Sequence, residues 1–294
     1  MTADVETVVA GGALLGEAPV WDADAGVLRW VDILRHEIHR FDPRTGRDTA
    51  ERVGGPVAAL APAAGGGLLA AVGDTVRLLP GDGARQPYGS GHPLARLPTG
   101  DRANDGKCDP YGRFLVGTLT ERKDPGACAL YRLDGPDRVT PVISGVTVSN
   151  GLDWSPDGTR LYFADTPTLA VDVLDYDPEC GLATGRRPFA DLRDAPGRPD
   201  GLTVDAEGGV WVALVRGGEV RRYTADGRLD EVVRLPARLV TSCAFGGPEL
   251  AELYVTSGRF GMTDDEVARE PAAGALFRIR PGVRGRQAHA WRPC

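Results

Sequence analysis

Apolar residues along the chain fall into short runs separated by turns rich in Asp, Pro and Gly, and the same phrase returns several times. An apolar segment, an Asp/Pro/Gly turn and an aliphatic or aromatic run read APVWDADAGVLRWVD at 18–32, GKCDPYGRFLVGT at 106–118, GLDWSPDGTRLYFAD at 151–165, GLTVDAEGGVWVA at 201–213 and SCAFGGPELAELYVTS at 242–257. A weaker copy, AALAPAAGGGLLAAV, covers 58–72. The residues just before the turns, Trp21, Ala61, Cys108, Trp154, Val204 and Phe245, recur every 40 to 50 residues or so, which is the spacing of propeller blades. Apolar runs flanking D-x-x-G turns predict hairpins. Further strand–turn–strand pieces at 37–47, 129–135, 172–181, 219–229 and 275–285 supply a second pair of strands to most repeats. Four short antiparallel strands per repeat and six repeats predict an all-β, six-bladed β-propeller occupying residues 1–294 as one domain. The strand-like start, VETVVA at 5–10, is placed to complete the last blade and close the ring. A β-sandwich pair or a β-helix also uses many short strands, but neither explains a double hairpin at this interval. No window keeps a 3.6-residue apolar stripe, so helices should be few and short.

Composition narrows the functional classes. Gly 40 and Pro 23 make the chain turn-rich, while 42% hydrophobic residues suffice for a core. Lys+Arg 34 against Asp+Glu 41 leaves a net charge of -7 with the basic residues scattered, which excludes a nucleic-acid footprint. No segment approaches the length of a membrane helix, and Met1–Ala13 lacks the pattern of a secretion signal. Five cysteines without CxxC spacing, Cys108, Cys128, Cys180, Cys243 and Cys294, argue against a disulfide framework and a cysteine zinc site. A cytoplasmic location is expected. No sequence feature assigns an oligomeric state.

Candidate chemistry lies where the repeat is broken by polar residues. Four residues before the turn-side anchors stand Glu17, Asn104, Asn150 and Asp200, while the equivalents near Val57 and at Thr241 are not acidic. Equivalent positions of a propeller ring the central channel, so these four side chains should converge although they lie up to 183 residues apart. Taken singly, Asn150-Gly151, Asp200-Gly201 and Asn104-Asp105-Gly106 read as turn dipeptides that supply positive φ angles. As a set in one register, with Glu17 in a context that is no turn, they read as a shared site. Two carboxylates in a partly buried channel repel one another unless a cation lies between them. Oxygen donors suit Ca²⁺, Mg²⁺ or Mn²⁺, and Zn²⁺ is not excluded. His36, His39, His92 and His289 form no zinc motif, and the first two are expected to face solvent. Arg102 and Glu121 flank the third phrase and can reach the same face, although a surface ion pair is the simpler reading of each. Cys108 reads as a buried apolar residue.

The segments LGEAPVWDADAGVLRWVDI (15–33), DRANDGKCDPYGRFLVGTL (101–119), SNGLDWSPDGTRLYFADT (149–166), RPDGLTVDAEGGVWVAL (198–214) and TSCAFGGPELAELYVTS (241–257) resemble the senescence marker protein / gluconolactonase / luciferin-regenerating-enzyme family. The resemblance implies a six-bladed propeller with one divalent metal ion, Ca²⁺ before Zn²⁺, Mn²⁺ or Mg²⁺, in the central channel, and hydrolysis of a sugar lactone. It implies Glu17, Asn150 and Asp200 as metal ligands and Arg102, Asn104 and Glu121 as substrate contacts, with Asp105 adjoining. Asp200 would then serve as ligand and general base. The weak second repeat and the loop at 81–98 match no motif. Two alternatives stand beside this: another metal-dependent ester or organophosphate hydrolase in the same site, and a non-catalytic calcium-binding or interaction propeller.

Overall fold

The computed structural model describes residues 4–81, 87–98 and 100–293, and in it the chain forms six four-stranded antiparallel sheets. Five of them run outward from an inner strand through consecutive strands: Gly16–Asp22 to Arg47–Arg52, Val57–Pro62 to His92–Arg96, Arg102–Cys108 to Arg138–Val146, Ser149–Trp154 to Leu182–Asp191, and Arg198–Val204 to Leu229–Arg234. The sixth consists of Val240–Gly246, Glu252–Ser257 and Leu276–Ile279, with Val5–Val9 as its outermost strand. The chain start therefore closes the ring, as its sequence predicts. Each inner strand touches the inner strands of the blades on either side, giving a six-bladed β-propeller around a central channel.

The D-x-x-G turns owe their form to their first residue. Asp109 is fully buried, and its carboxylate accepts from the backbone nitrogens of Tyr111 and Arg113, from Arg113 Nε and from the Tyr176 hydroxyl. Asp205 does the same for Glu207, Gly209, Trp211 Nε1 and Arg222 Nε. Aromatic residues before and after these turns fill the gaps between blades. Trp21 lies parallel to Tyr254 with centroids 6.3 Å apart, joining the first blade to the last, and Trp211 meets Phe245 edge-on at 6.1 Å.

Three expectations are corrected. The piece at 275–285 contributes one strand, Leu276–Ile279, because the outer edge of that strand is already taken by Val5–Val9. The remainder runs across the turn end of the channel instead. Ala206 and Gly285 hydrogen-bond there to Arg284 and Leu250, and Trp291 and Arg292 donate to the carbonyls of Pro62 and Gly112. His36 is exposed, but His39 is not: its ring stacks on Trp30 at 3.8 Å and its Nδ1 lies 2.7 Å from Asp48. Part of the loop at 81–98, and Cys294, lie outside the described residues. The one α-helix among the described residues, Asp264–Arg269, is short, opens on a Thr263/Glu266 capping box, and sits in the connection between the second and third strands of the last blade. No described helix is long and apolar enough to cross a membrane.

The third correction concerns glycine. Every inner strand slips register against its neighbour at the same level: between Glu17 and Val20, Val57 and Ala59, Ala103 and Gly106, Ser149 and Leu152, Pro199 and Leu202, and Val240 and Ser242. In the fifth blade Pro199 faces Leu214 and Leu202 faces Val212, so Asp200 and Gly201 share the one place opposite Ala213. This is a bulge, which redirects side chains at the cost of one ladder position. Asn104-Asp105 and Asn150-Gly151 occupy the same bulge in their blades. They are not turns, and Gly106, Gly151 and Gly201 are absent from the positive-φ glycines. Space explains them. A Cβ on Gly151 would lie 2.5 Å from the Asp200 carbonyl oxygen and the Leu202 nitrogen, and one on Gly201 would lie 2.1 Å from Ser242 Oγ. Because the atoms facing Gly151 are backbone of the next blade, Gly151→Ala should cost about 1–3 kcal/mol of stability, read as a lowered chemical-denaturation midpoint at unchanged slope.

Candidate functional site

The bulges bring the predicted residues together at the channel. Glu17, Asn150 and Asp200, from the first, fourth and fifth blades, are all buried, as is Asp105. The loops that deliver them are tied down by the ends of neighbouring strands. Asp32 accepts from the backbone nitrogens of Leu14 and Leu15 at 2.8 and 3.1 Å, just ahead of Glu17. Asp165 holds Thr147 and Val148 in the same way ahead of Asn150, at 3.1 and 2.9 Å. Ala18 takes a left-handed φ of 45°, and its nitrogen donates to Glu17 Oε2 at 2.9 Å, so the backbone is bent around the Glu17 carboxylate.

The electrostatics are those of negative charge crowded out of water. Burial first, then Asp200 and Asp105, push the Glu17 carboxyl well above the ordinary carboxylate value. Burial first, then Asp105, raise Asp200 likewise, opposed by the Asn150 amide and by Lys123. Asp105 rises to about 6, chiefly through burial and against the pull of Lys107. No group of three or more His, Cys, Asp or Glu side chains among the described residues is disposed to hold a metal ion. A cation held here by Glu17 and Asp200 would have the Asn150 amide, which is bonded to Asp200, as a further oxygen donor. The Asn150 Nδ2 donates to Thr166 Oγ1 at 3.0 Å, which leaves its carbonyl oxygen as the atom with lone pairs to offer. Two carboxylates and one amide oxygen form a hard donor set, and a bound dication would relieve the repulsion that raises both pKa values.

The two asparagines in equivalent bulges are used differently. Asn104 Nδ2 donates across the blade boundary to the Ser149 carbonyl at 2.9 Å, and its Oδ1 accepts from Arg102 Nη1 at 3.1 Å. Arg102 also donates to the Ala103 carbonyl at 2.8 Å. Burial pulls its guanidinium below its ordinary value, with Glu17 and Glu121 pulling the other way. Arg102 is thus a half-buried cation aimed by Asn104, not half of a surface ion pair. Glu121 is exposed and reaches the set only through the field it exerts on Arg102. Cys108 is buried, as its position before a turn predicts.

Two residues near the carboxylates were missed by the sequence reading. Thr166 follows the Phe-Ala-Asp end of the fourth blade's second strand and orients Asn150, while Lys123 lies in the loop Thr120–Ala127 and acts on Asp200. The length of that loop beside the short turns at the same place in the first, second, fourth and fifth blades was the available clue.

Because both carboxyls bind a proton more tightly in the fold than in the unfolded chain, metal-free protein should be favoured below about pH 4 and lose that contribution as pH rises through their elevated values. In chelator at pH 8, Glu17→Gln should therefore melt higher than the parent. With millimolar Ca²⁺ the order should reverse, since ligand binding stabilises only the chain that binds it. Melting curves at two pH values, with and without Ca²⁺, check both signs.

Residues 15–259 match the SMP-30/Gluconolactonase/LRE-like region. Regucalcin of Xenopus laevis is 38% identical over 96% of each chain, and 6-deoxy-6-sulfogluconolactonase of Pseudomonas putida is 38% identical over 97% of each. The crystal structure of a calcium-binding protein, regucalcin, from Agrobacterium tumefaciens superimposes with a TM-score of 0.90 at 30% identity, covering 99% of this chain and 97% of that one.

Proposed function

The chain belongs to the SMP-30/Gluconolactonase/LRE-like family, and we propose that it hydrolyses a sugar lactone at a divalent cation, Ca²⁺ first, held by Glu17, Asn150 and Asp200. The observation that carries this reading is the burial of Glu17 and Asp200 in one region, with Asp200 raising Glu17, Asp105 raising Asp200 and the Asn150 amide bonded to Asp200. Such an ion, when bound, supplies Lewis acidity to the lactone carbonyl. The chain's own groups do the rest. Asp200 takes a proton from the attacking water and returns it to the ring oxygen as the acyl C–O bond breaks, giving a hydroxy acid. Arg102, aimed by Asn104, hydrogen-bonds the substrate's hydroxyls and carbonyl, and its half-buried setting strengthens those bonds. Asn104 itself keeps one N–H for substrate. The four described cysteines are unpaired and three are buried, which supports a reducing, cytoplasmic setting.

The relatives' names support two activities, lactone hydrolysis and calcium binding, and turnover separates them. With glucono-δ-lactone and Ca²⁺, Asp200→Asn should lower kcat by about 10²–10⁴-fold while the variant stays folded. Absence of turnover in the metal-loaded parent, with Ca²⁺ still bound in calorimetry, would mean a binding protein.

The equivalent asparagines give a sharper comparison. Asn150→Ala should weaken metal binding and recover part of its activity in excess metal. Asn104→Ala should bind metal as the parent does and lose about 1–3 kcal/mol in kcat/KM that metal does not restore, because Arg102 loses its guide. Rescue of Asn104→Ala by metal would transfer Asn104 to the ligand set.

A further inference from the structure

Three residues beyond each upper channel position, past the bulge, the inner strands present a second tier: Val20, Leu60, Lys107, Asp153, Thr203 and Ala244. All six line a cavity of about 70 Å³ on the turn side of the channel. Half of this tier is apolar, and the polar half falls on three consecutive blades, the third, fourth and fifth. Asp153 is its hub. Its Oδ2 accepts from Lys107 Nζ at 3.1 Å, Thr203 Oγ1 at 3.1 Å and the Val204 nitrogen at 3.0 Å. Its Oδ1 accepts from the Trp154 nitrogen at 2.8 Å and Arg286 Nη2 at 3.2 Å. Lys107 also donates to the Leu202 carbonyl at 3.1 Å, and Arg286, from the segment that crosses the channel, donates to the Trp154 carbonyl at 2.5 Å.

We propose that Asp153 is a positioning residue: by joining Lys107, Thr203 and Arg286 it fixes the spacing of the three inner strands that carry Asn104, Asn150 and Asp200. The inference rests on the reading of Glu17, Asn150 and Asp200 as a cation site. The three strands pack side by side, and the bonds to Asp153 lie three residues from the site on each of them, so little backbone separates the hub from the residues it sets. A buried ion pair adds little net stability compared with apolar side chains of the same volume. Directional bonds to one carboxylate fix register, which apolar contacts do less well.

Calcium calorimetry on the full chain, at a temperature well below each variant's melting point, tests this, with Ca²⁺ alone as the probe. Asp153→Asn keeps the size and removes the charge that Lys107 and Arg286 share; it should weaken Ca²⁺ binding about tenfold or more and lower kcat more than it raises KM. Arg286→Ala, which removes one donor from outside the strands, should act in the same direction and decides the matter if Asp153→Asn does not fold. Asp109→Asn is the control: it breaks an equally buried hub away from the channel, so it should lower the melting temperature and leave Ca²⁺ affinity unchanged. Parent-like Ca²⁺ affinity in Asp153→Asn, or in Arg286→Ala where the first does not fold, overturns the proposal. So does an equal loss in Asp109→Asn. No heat of Ca²⁺ binding by the parent chain overturns the reading of the site itself and this inference with it.

Discussion

Close approach of the inner strands around the channel is the constraint from which the rest of the structure follows. Backbone meets backbone at Gly151 and side chain at Gly201, and neither position has room for a Cβ. Strands that converge this tightly cannot keep a regular ladder to the next strand of their own blade while also facing the channel. The repeated register slip resolves the conflict by setting two inner-strand residues against one neighbour. A bulge frees a residue from the pleat, and in five of the six blades the chain has a polar residue at or beside it. Packing creates the positions, and chemistry occupies them.

That occupation is costly. Glu17, Asp105 and Asp200 come from three blades into one buried region, and burial is the first cause of every upward shift in their pKa values. The surrounding contacts do not neutralise them: Asn150 and Lys123 only moderate Asp200, and Lys107 moderates Asp105. Asp153, one tier lower, shows the opposite solution. It is just as buried, but Lys107 and Arg286 overcome the burial penalty and hold its carboxyl below the ordinary value. One channel thus holds a carboxylate whose charge is compensated beneath carboxylates whose charge is not. Buried carboxylates left without a counter-charge where a neighbouring one is fully paired mark the place where a ligand is expected to complete the structure.

The fold was legible because a propeller writes its period into the sequence. The anchor positions Trp21, Cys108, Trp154, Val204 and Phe245 recur whether or not a blade has a functional role, with Asp directly after three of them (Asp22, Asp109 and Asp205), and even the second blade, where alanines replace most of the phrase, kept its interval. Closure by Val5–Val9 was legible from strand character and position alone. The far end was not: Leu276–Ile279 and the residues after it look like another hairpin, and only the edge already filled by the chain start makes them run on as a strap. Asn150-Gly151 and Asp200-Gly201 carry a second ambiguity. The dipeptide that makes a turn also suits a bulge facing a crowded neighbour, and local sequence does not distinguish positive φ from missing space. The tier of Lys107, Asp153 and Thr203 escaped notice for a related reason. Strand alternation places channel-facing residues two apart, and the bulge makes the interval three.

The same hydrogen-bond accounting explains why residues in equivalent places do not share one task. Thr241 occupies the sixth blade's counterpart, but its hydroxyl donates to the Gly16 carbonyl at 2.5 Å and lies 2.9 Å from Thr256 Oγ1, so it is committed to joining the last blade to the first. Val57 has no polar atom to offer. Asn104 has an amide, yet its nitrogen bridges to the fourth blade and its oxygen faces a guanidinium, and an oxygen facing a guanidinium is a poor partner for a second cation. Asn150 gives its amide hydrogens to the Thr166 hydroxyl and to Asp200, and no described guanidinium donates to its oxygen, which leaves that oxygen to a cation without setting two positive charges against each other. The asymmetry of a site built from near-identical repeats therefore comes less from which residues are present than from which of their atoms the fold has already used.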